Sequence, residues 1–345
     1  MFFNLLYVCR MEDEKIIVQD DWLSNVINEI FQGNENILHD EIRKPRDWRK
    51  KAIIIDWSNF LFRYFSKIWD TYSEQFWDNN LNWIYWIMKK VFYHLEEWVD
   101  YLYICWEWWK EESIRKHLYK EYKEWRKAKS EDFKNQYKKV QKLLKLMKIP
   151  SLAYKWYECD DIIWTLTKMI DKRENWNVDI YIHSTDKDFA QLLQENVFLF
   201  KPQRRQMYWL KEFYEEYWID VKYFIDFLAL LWDSSDNIKW VPWLWMKGIP
   251  PLINKYWSIE NIYKNINEAY QLKLLKEKSL NFMKTKEWCT QLMLNKKLIT
   301  LMNIPECECK YISEYWITRQ HLEDVLINEL WFNSFSPSLH TIFHY

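Results

Sequence analysis

Apolar residues fall along this chain in two alternating patterns. Short continuous runs come first: Ala52 to Asp56 (AIIID), Tyr101 to Cys105 and Asp179 to His183, with a further one at Asn196 to Phe200. Runs of this length, rich in Ile, Val and aromatic residues, predict strands buried on both faces, as in a parallel sheet. Between and after them the apolar spacing changes to three and four. Ile162, Ile163, Leu166, Met169 and Ile170 predict a helix opened by YECDDII (Tyr157 to Ile163). Val140, Leu143, Leu144 and Met147 form a stripe on a helix over Lys138 to Met147, which Pro150 ends. Further helices are expected at Pro251 to Tyr256 and Leu292 to Met302, with a helical tail over Tyr311 to Tyr345. Strands alternating with helices predict an α/β fold, a central mostly parallel sheet flanked by helices. Residues 1–50 are polar and uneven, with one short helix expected at Trp22 to Phe31.

Composition complicates this picture. The 345 residues include 25 Trp and only 2 Gly. Glycine is the default wherever φ is positive or backbone must approach a ligand closely, so such a chain has almost no residue suited to tight turns. Together the two types make up about 8% of the chain, near the usual glycine share of ~7%. The reading adopted is that most of these tryptophans are glycines encoded by UGA, a codon that a few bacterial lineages read as glycine. A truly Trp-rich chain is the competing reading.

The 49% hydrophobic content allows a sizeable core, and no run of 18 uncharged apolar residues marks a membrane span. Six scattered cysteines, with Cys307 and Cys309 the only close pair, suggest neither a zinc site nor a disulfide framework, so a cytoplasmic chain is expected. The net charge of −1 hides an asymmetry: Lys110 to Lys148 carries fourteen Lys/Arg against six Asp/Glu. A basic segment in an otherwise acidic chain suits a polyanion partner, although a solvated helix face is the ordinary meaning of a Lys-rich run. In RKHLYKEYKEWRKAK (Arg115 to Lys129) the basic residues interleave with aromatics, which suits phosphate contact and base stacking.

The candidate chemistry is carboxylate. Asp56 and Glu107 follow the first two strands, and Asp186 and Asp188 follow the third. Glu158, Asp160 and Asp161 open the helix after Pro150, and Asp233 and Asp236 stand three apart further on. Any one of them is ordinarily a helix cap or a solvated acid. Nine acids at successive strand and helix ends would converge on one sheet edge, where ligands sit in open α/β folds. Such a cluster repels itself unless hard cations hold it, and hard divalent ions take oxygen ligands. His183 is read as a core or strand-edge histidine.

At this level of detail the chain resembles the 5′-nuclease superfamily: flap endonucleases, the 5′→3′ exonuclease domain of bacterial DNA polymerase I, and phage 5′-exonucleases and RNase H. The likeness covers about residues 52–305. It is carried by Asp56-Trp57-Ser58-Asn59, Tyr122-Lys123-Glu124-Trp125-Arg126, Tyr157 to Ile163, Ser184 to Phe189 and Trp232 to Lys247. The family has glycine where this chain has Trp57, Trp125, Trp156, Trp164, Trp232, Trp240, Trp243, Trp245 and Trp257. Glu107 departs from the family, many of whose members have Asp there.

The resemblance implies a PIN-like nuclease core over 51–218, a helical arch at about 110–148, and a C-terminal helical region, 219–345. Within that region a helix–hairpin–helix element at about 232–257 would grip duplex backbone. The nine carboxylates match the family's two-metal cluster for Mg²⁺, with Mn²⁺ as a substitute. Lys123 and Arg126 match the arch residues that face the scissile phosphate. Arg115, Tyr122, Trp240, Trp243, Trp245, Lys247 and Gly248 fall among expected DNA contacts, with K⁺ often bridging the hairpin element in the family. The implied activity is structure-specific hydrolysis of phosphodiesters at DNA 5′ ends or flaps, or at RNA–DNA primer junctions, in replication and repair. The expected state is a monomer off the membrane, working beside a DNA polymerase. Two alternatives stand: a non-catalytic, structure-specific DNA-binding relative, and an RNA-directed PIN-type nuclease.

Overall fold

The computed structural model describes residues 11–12, 15–16, 49–59, 99–107, 113–124, 126, 130–146, 149–201, 206–231, 236–238, 241, 244–305 and 323–324. The helices expected at Trp22 to Phe31 and over Tyr311 to Tyr345 lie outside them, apart from Glu323 and Asp324. Met11–Glu12 and Lys15–Ile16 pair as a separate two-stranded sheet.

The main sheet has six strands: β1 (Lys50–Asp56), β2 (Tyr101–Cys105), β3 (Ser151–Leu152), β4 (Val178–His183), β5 (Val197–Lys201) and β6 (Gln206–Tyr208). Their spatial order is β3-β2-β1-β4-β5-β6. Every pairing is parallel except β5 with β6. The expected strands are therefore present within a residue or two of their predicted bounds, and the mostly parallel α/β class is the one observed. β1 lies at the centre, and Ala52, Ile53, Ile54 and Ile55 are at most 1% exposed, which explains a continuous apolar run rather than an alternating one. Register sets the functional edge: Asp56 pairs with Cys105, and Ile55 with His183. The C-terminal ends of β1, β2 and β4 thus stand side by side.

Helix α3 (Cys159–Arg173) packs its buried Ile162, Ile163, Leu166 and Ile170 against this sheet. Before it, α1 (Ile114–Leu118) and α2 (Glu131–Leu146) flank a turn over residues 120–124. α2 begins seven residues earlier than the apolar stripe suggests, because its first two turns are mostly polar. Val140 and Leu144 of that stripe are buried, whereas the side chain of Leu143 and all of Met147 lie outside the described residues. Phe189 lies in a 3-10 segment, Lys187–Leu192, which starts at Asp186 as its cap.

Beyond β6 the chain is helical: α4 (Leu210–Tyr217), α5 (Phe224–Leu230), α6 (Ile249–Tyr256), α7 (Ile259–Lys264), α8 (Ile266–Gln271), α9 (Glu277–Met283) and α10 (Lys286–Ile299). α10 stops at Ile299 rather than Met302, and residues 300–304 run on without regular structure. The apolar residues of this half join those of the sheet in one continuous core reaching from Ala52 to Ile304, so position 218 is not a break in packing.

Eight described non-glycine residues have positive φ, and four are tryptophans: Trp156 (70°), Trp176 (65°), Trp218 (59°) and Trp257 (66°). Each is exposed. Trp218 and Trp257 end α4 and α6 in the left-handed conformation that glycine ordinarily supplies at helix C-termini.

Candidate active site

Asp56 is the fixed point of the site. It ends the central strand, is buried, and accepts from the Ser184 hydroxyl at 2.7 Å and the Asn59 backbone N–H at 3.0 Å. The Cys159 thiol lies 3.5 Å away on the same carboxylate. Burial raises the Asp56 carboxyl to about 6, with the Asp186 charge adding to the rise. Glu107 lies just past β2, where the Ser58 hydroxyl accepts from its N–H at 2.8 Å and its carboxylate accepts from the Cys159 N–H at 3.3 Å. Burial, then the neighbouring Glu158 charge, raises Glu107 to about 7. Asp160, in the first turn of α3, is pushed well up by burial and by Asp186 and Asp56. Asp186 is raised by burial, with the Asp236 charge adding. These acids raise one another because they lie near one another at one edge.

Glu158 and Asp161 sit in the same helical turn but have different neighbours. Glu158 caps α3 and meets the Lys123 ammonium at 2.7 Å, the Tyr122 hydroxyl at 3.2 Å and Arg115 at 3.6 Å. Burial alone would raise its carboxyl, but Lys123 and Arg115 overcome this and hold it at about 2. Asp161, fully buried, accepts both prongs of the Arg115 fork at 2.6 and 2.7 Å, and also the N–H groups of Glu158 (3.2 Å) and Met302 (2.8 Å). All of these partners are protein donors, which sets Asp161 apart from the acids that meet one another.

Two residues expected among the DNA contacts are also turned inward in this structure. Arg115 is 1% exposed and spends its guanidinium on Asp161 and on the carbonyls of Leu298 and Thr300. Tyr122 is 3% exposed, and its hydroxyl donates toward Glu158 and Asp236 rather than its ring facing a base. Lys123 and Arg126 do border the acids: Lys123 bridges Glu158 and Asp236 (3.9 Å), and half-exposed Arg126 reaches Asp236 at 2.6 Å. Lys123 itself sits at φ 54°, and its N–H donates to the Asp236 carbonyl at 3.2 Å. The turn between α1 and α2 is thereby tied to the segment following α5.

Asp188 donates its N–H to the Asp186 carboxylate at 3.0 Å. Asp233, Trp240 and Trp243 lie outside the described residues. Trp245 and Lys247 are exposed beside half-buried Gly248, where α6 begins with Pro250 and Pro251 in its first turn. Ile238, Val241 and Leu244, earlier in the same stretch, are buried. His183 is buried against Phe200, as a core histidine. Ser184, Ser58 and Cys159 lay within the motifs but were given no role from sequence. Ser184, directly after β4, carried a signal in its position at a strand end.

The donor set is hard oxygen, which suits a divalent cation, and an ion would return the raised acids to their ionised form. Among the described residues no three His, Cys, Asp or Glu side chains yet converge on one ion-sized point.

Residues 51–218 match the model of the 5′-3′ exonuclease N-terminal, resolvase-like domain. The 5′-3′ exonuclease of Buchnera aphidicola subsp. Schizaphis graminum is 31% identical over 232 residues, 66% of this chain and 78% of that one. The 5′-3′ exonuclease of Buchnera aphidicola subsp. Acyrthosiphon pisum is 35% identical over 169 residues, and the match spans 58% of its length. Among solved structures, a bacteriophage T5 flap endonuclease crystallised with DNA and metal ions superposes with a TM-score of 0.57 at 19% identity, over 85% of this chain and 99% of that one. The catalytic core of Rad2 in complex with DNA substrate gives 0.55 at 14%, over 86% and 93%. At those identities the structures speak to the fold, and the sequence relatives to descent. The sheet order, the acids at its C-terminal edge and these relatives together place the chain in the 5′-nuclease superfamily.

Proposed function

We propose that this protein is a structure-specific 5′→3′ exonuclease and flap endonuclease, hydrolysing phosphodiesters near DNA 5′ ends with two Mg²⁺ ions. The observation that carries this is the gathering of Asp56, Glu107, Glu158, Asp160, Asp186 and Asp236 at one sheet edge beneath Lys123 and Arg126. The bound ions would supply an activated water and a clamp on the reacting oxygens. Asp56 and Asp160, both raised, the latter in part by the Asp56 charge, are the best placed to hold them, with Asp186 and Glu107 alongside. Lys123 and Arg126 would exchange their carboxylate partners for phosphoryl oxygens and stabilise the charge developing there. Ser184 keeps the Asp56 carboxylate oriented, as a supporting donor does for a metal ligand. The α5–hairpin–α6 element would hold duplex backbone through N–H groups, which positions DNA without reading sequence. On this reading residues 51–218 are the nuclease core and 219–345 the duplex-gripping region.

The test is a 5′-flap duplex offered with Mg²⁺, with EDTA and with an Asp160→Ala variant. Cleavage near the junction that both controls abolish is the expected result. Binding of the flap without cleavage by folded protein would overturn the enzymatic reading in favour of a DNA-binding relative.

A further inference from the structure

The segment 298–304 lies far from the acids in sequence, yet four side chains of the nuclease core hold its backbone. Arg115 Nε and Nη2 donate to the carbonyls of Leu298 (2.7 Å) and Thr300 (3.1 Å). Gln191 donates to the Ile299 carbonyl at 3.0 Å and accepts from the Leu301 N–H at 3.4 Å. Asp161 accepts from the Met302 N–H at 2.8 Å, and the Thr165 hydroxyl from that of Ile304 at 2.9 Å. Leu298, Leu301 and Ile304 are buried meanwhile. This is a strap seated by directed bonds, not a loose tail.

The strap continues α10, and α10 braces the helix before the last acid pair. Asn295 donates to the Ala229 carbonyl at 3.1 Å, and the Lys296 ammonium meets Asp226 at 2.7 Å, both partners lying on α5. Arg115 joins the other side. It sits on α1, whose chain runs on to Tyr122, Lys123 and Arg126, and its fork grips Asp161 in the turn that carries Glu158 and Asp160. One guanidinium therefore ties the arch base, the acid-bearing turn of α3 and the strap.

We propose that Arg115 and the 298–304 strap act as a positioning device that fixes the acid-bearing end of α3 relative to the arch base, and so sets divalent-ion affinity. Arg115 touches no reacting atom in this arrangement. Only a planar fork with an Nε donor fits: lysine keeps the charge but cannot span Asp161 and two carbonyls at once. The proposal rests on the acids being an ion site, as the nuclease reading has it.

The test compares Arg115→Lys and Thr165→Val with the parent protein, all as full chains. Thr165→Val loses one strap anchor without burying an unpaired charge, so it stays informative where Arg115→Lys fails to fold. Folding is checked by circular dichroism, Mn²⁺ binding by titration of the DNA-free protein, and cleavage of the 5′-flap duplex against Mg²⁺ concentration. Weaker Mn²⁺ binding by roughly tenfold or more, a matching rise in the Mg²⁺ requirement and unchanged flap binding in Ca²⁺ are expected. Folded variants that bind Mn²⁺ like the parent would overturn the proposal, as would a loss confined to DNA binding. If the parent itself fails to cleave, the nuclease reading falls, while a variant-dependent change in Mn²⁺ affinity still supports the positioning role.

Discussion

The Lys123 ammonium lies 2.7 Å from the Glu158 carboxylate, and it keeps that acid ionised at the one edge of the sheet where most other acids are pushed toward protonation. The cation belongs to the turn between α1 and α2 and the anion caps α3, so this contact joins the two parts that, on the proposed reading, meet around a phosphate. Lys123→Ala is expected to leave Glu158 without its nearest counter-charge and to lower kcat on a flap duplex by about 10²–10³, the usual size of losing one preorganised electrostatic donor. Single-turnover cleavage with saturating Mg²⁺ measures this, and unchanged kcat would remove Lys123 from the chemistry.

The raised acids predict an opposing effect of pH on the metal-free protein and on ion binding. Asp56 and Glu107 titrate at about 6 and about 7 in the folded chain, above their unfolded values, so the folded state holds more protons. Metal-free stability should fall as pH rises from about 4 to 7 on their account and level off above it. Glu158, held at about 2, acts the other way, contributing stability that is lost as pH falls from about 4.5 toward 2. Because an ion displaces protons from the raised acids, the Tm gain from added Mg²⁺ should be larger at pH 8 than at pH 5.5. Thermal melts with Mg²⁺ and with EDTA at the two pH values check both signs.

Asp160 and Asp161 are neighbours whose loss should have opposite consequences. Asp160→Asn removes a like charge from a crowded acid edge, and it should abolish cleavage while leaving the EDTA-treated protein as stable or more so. Asp161→Ala strands the buried Arg115 guanidinium and should cost about 3–5 kcal/mol. Urea unfolding in EDTA separates the two, and equal destabilisation would refute the division of labour.

Trp218 and Trp257 hold left-handed backbone at helix ends while exposing 68% and 58% of their surface. Replacing either with glycine should stabilise the fold by about 1 kcal/mol, because little packing is lost and the left-handed penalty on an L side chain disappears. A higher urea midpoint for each variant is the expected result, and a lower one would show that the indole contacts outweigh the backbone penalty.

The apolar runs were enough to locate β1, β2, β4 and β5, because a strand buried on both faces leaves an uninterrupted signature. Acids placed just past those runs pointed to the edge of the sheet, since a parallel sheet aligns its strand ends. The sequence also marked Lys123 and Arg126 through their motif, and the tryptophan excess through composition alone. Tertiary structure decided what each neighbour does. Nothing local distinguishes Asp160 from Asp161: one faces other acids, and the other faces an arginine 46 residues earlier and an N–H 141 residues later. The same holds for Arg115 and Tyr122, whose basic and aromatic character suits nucleic acid equally well until burial shows them turned inward. A side chain's partners across the fold are set by packing over long chain separations, and no pattern of period two or 3.6 records them.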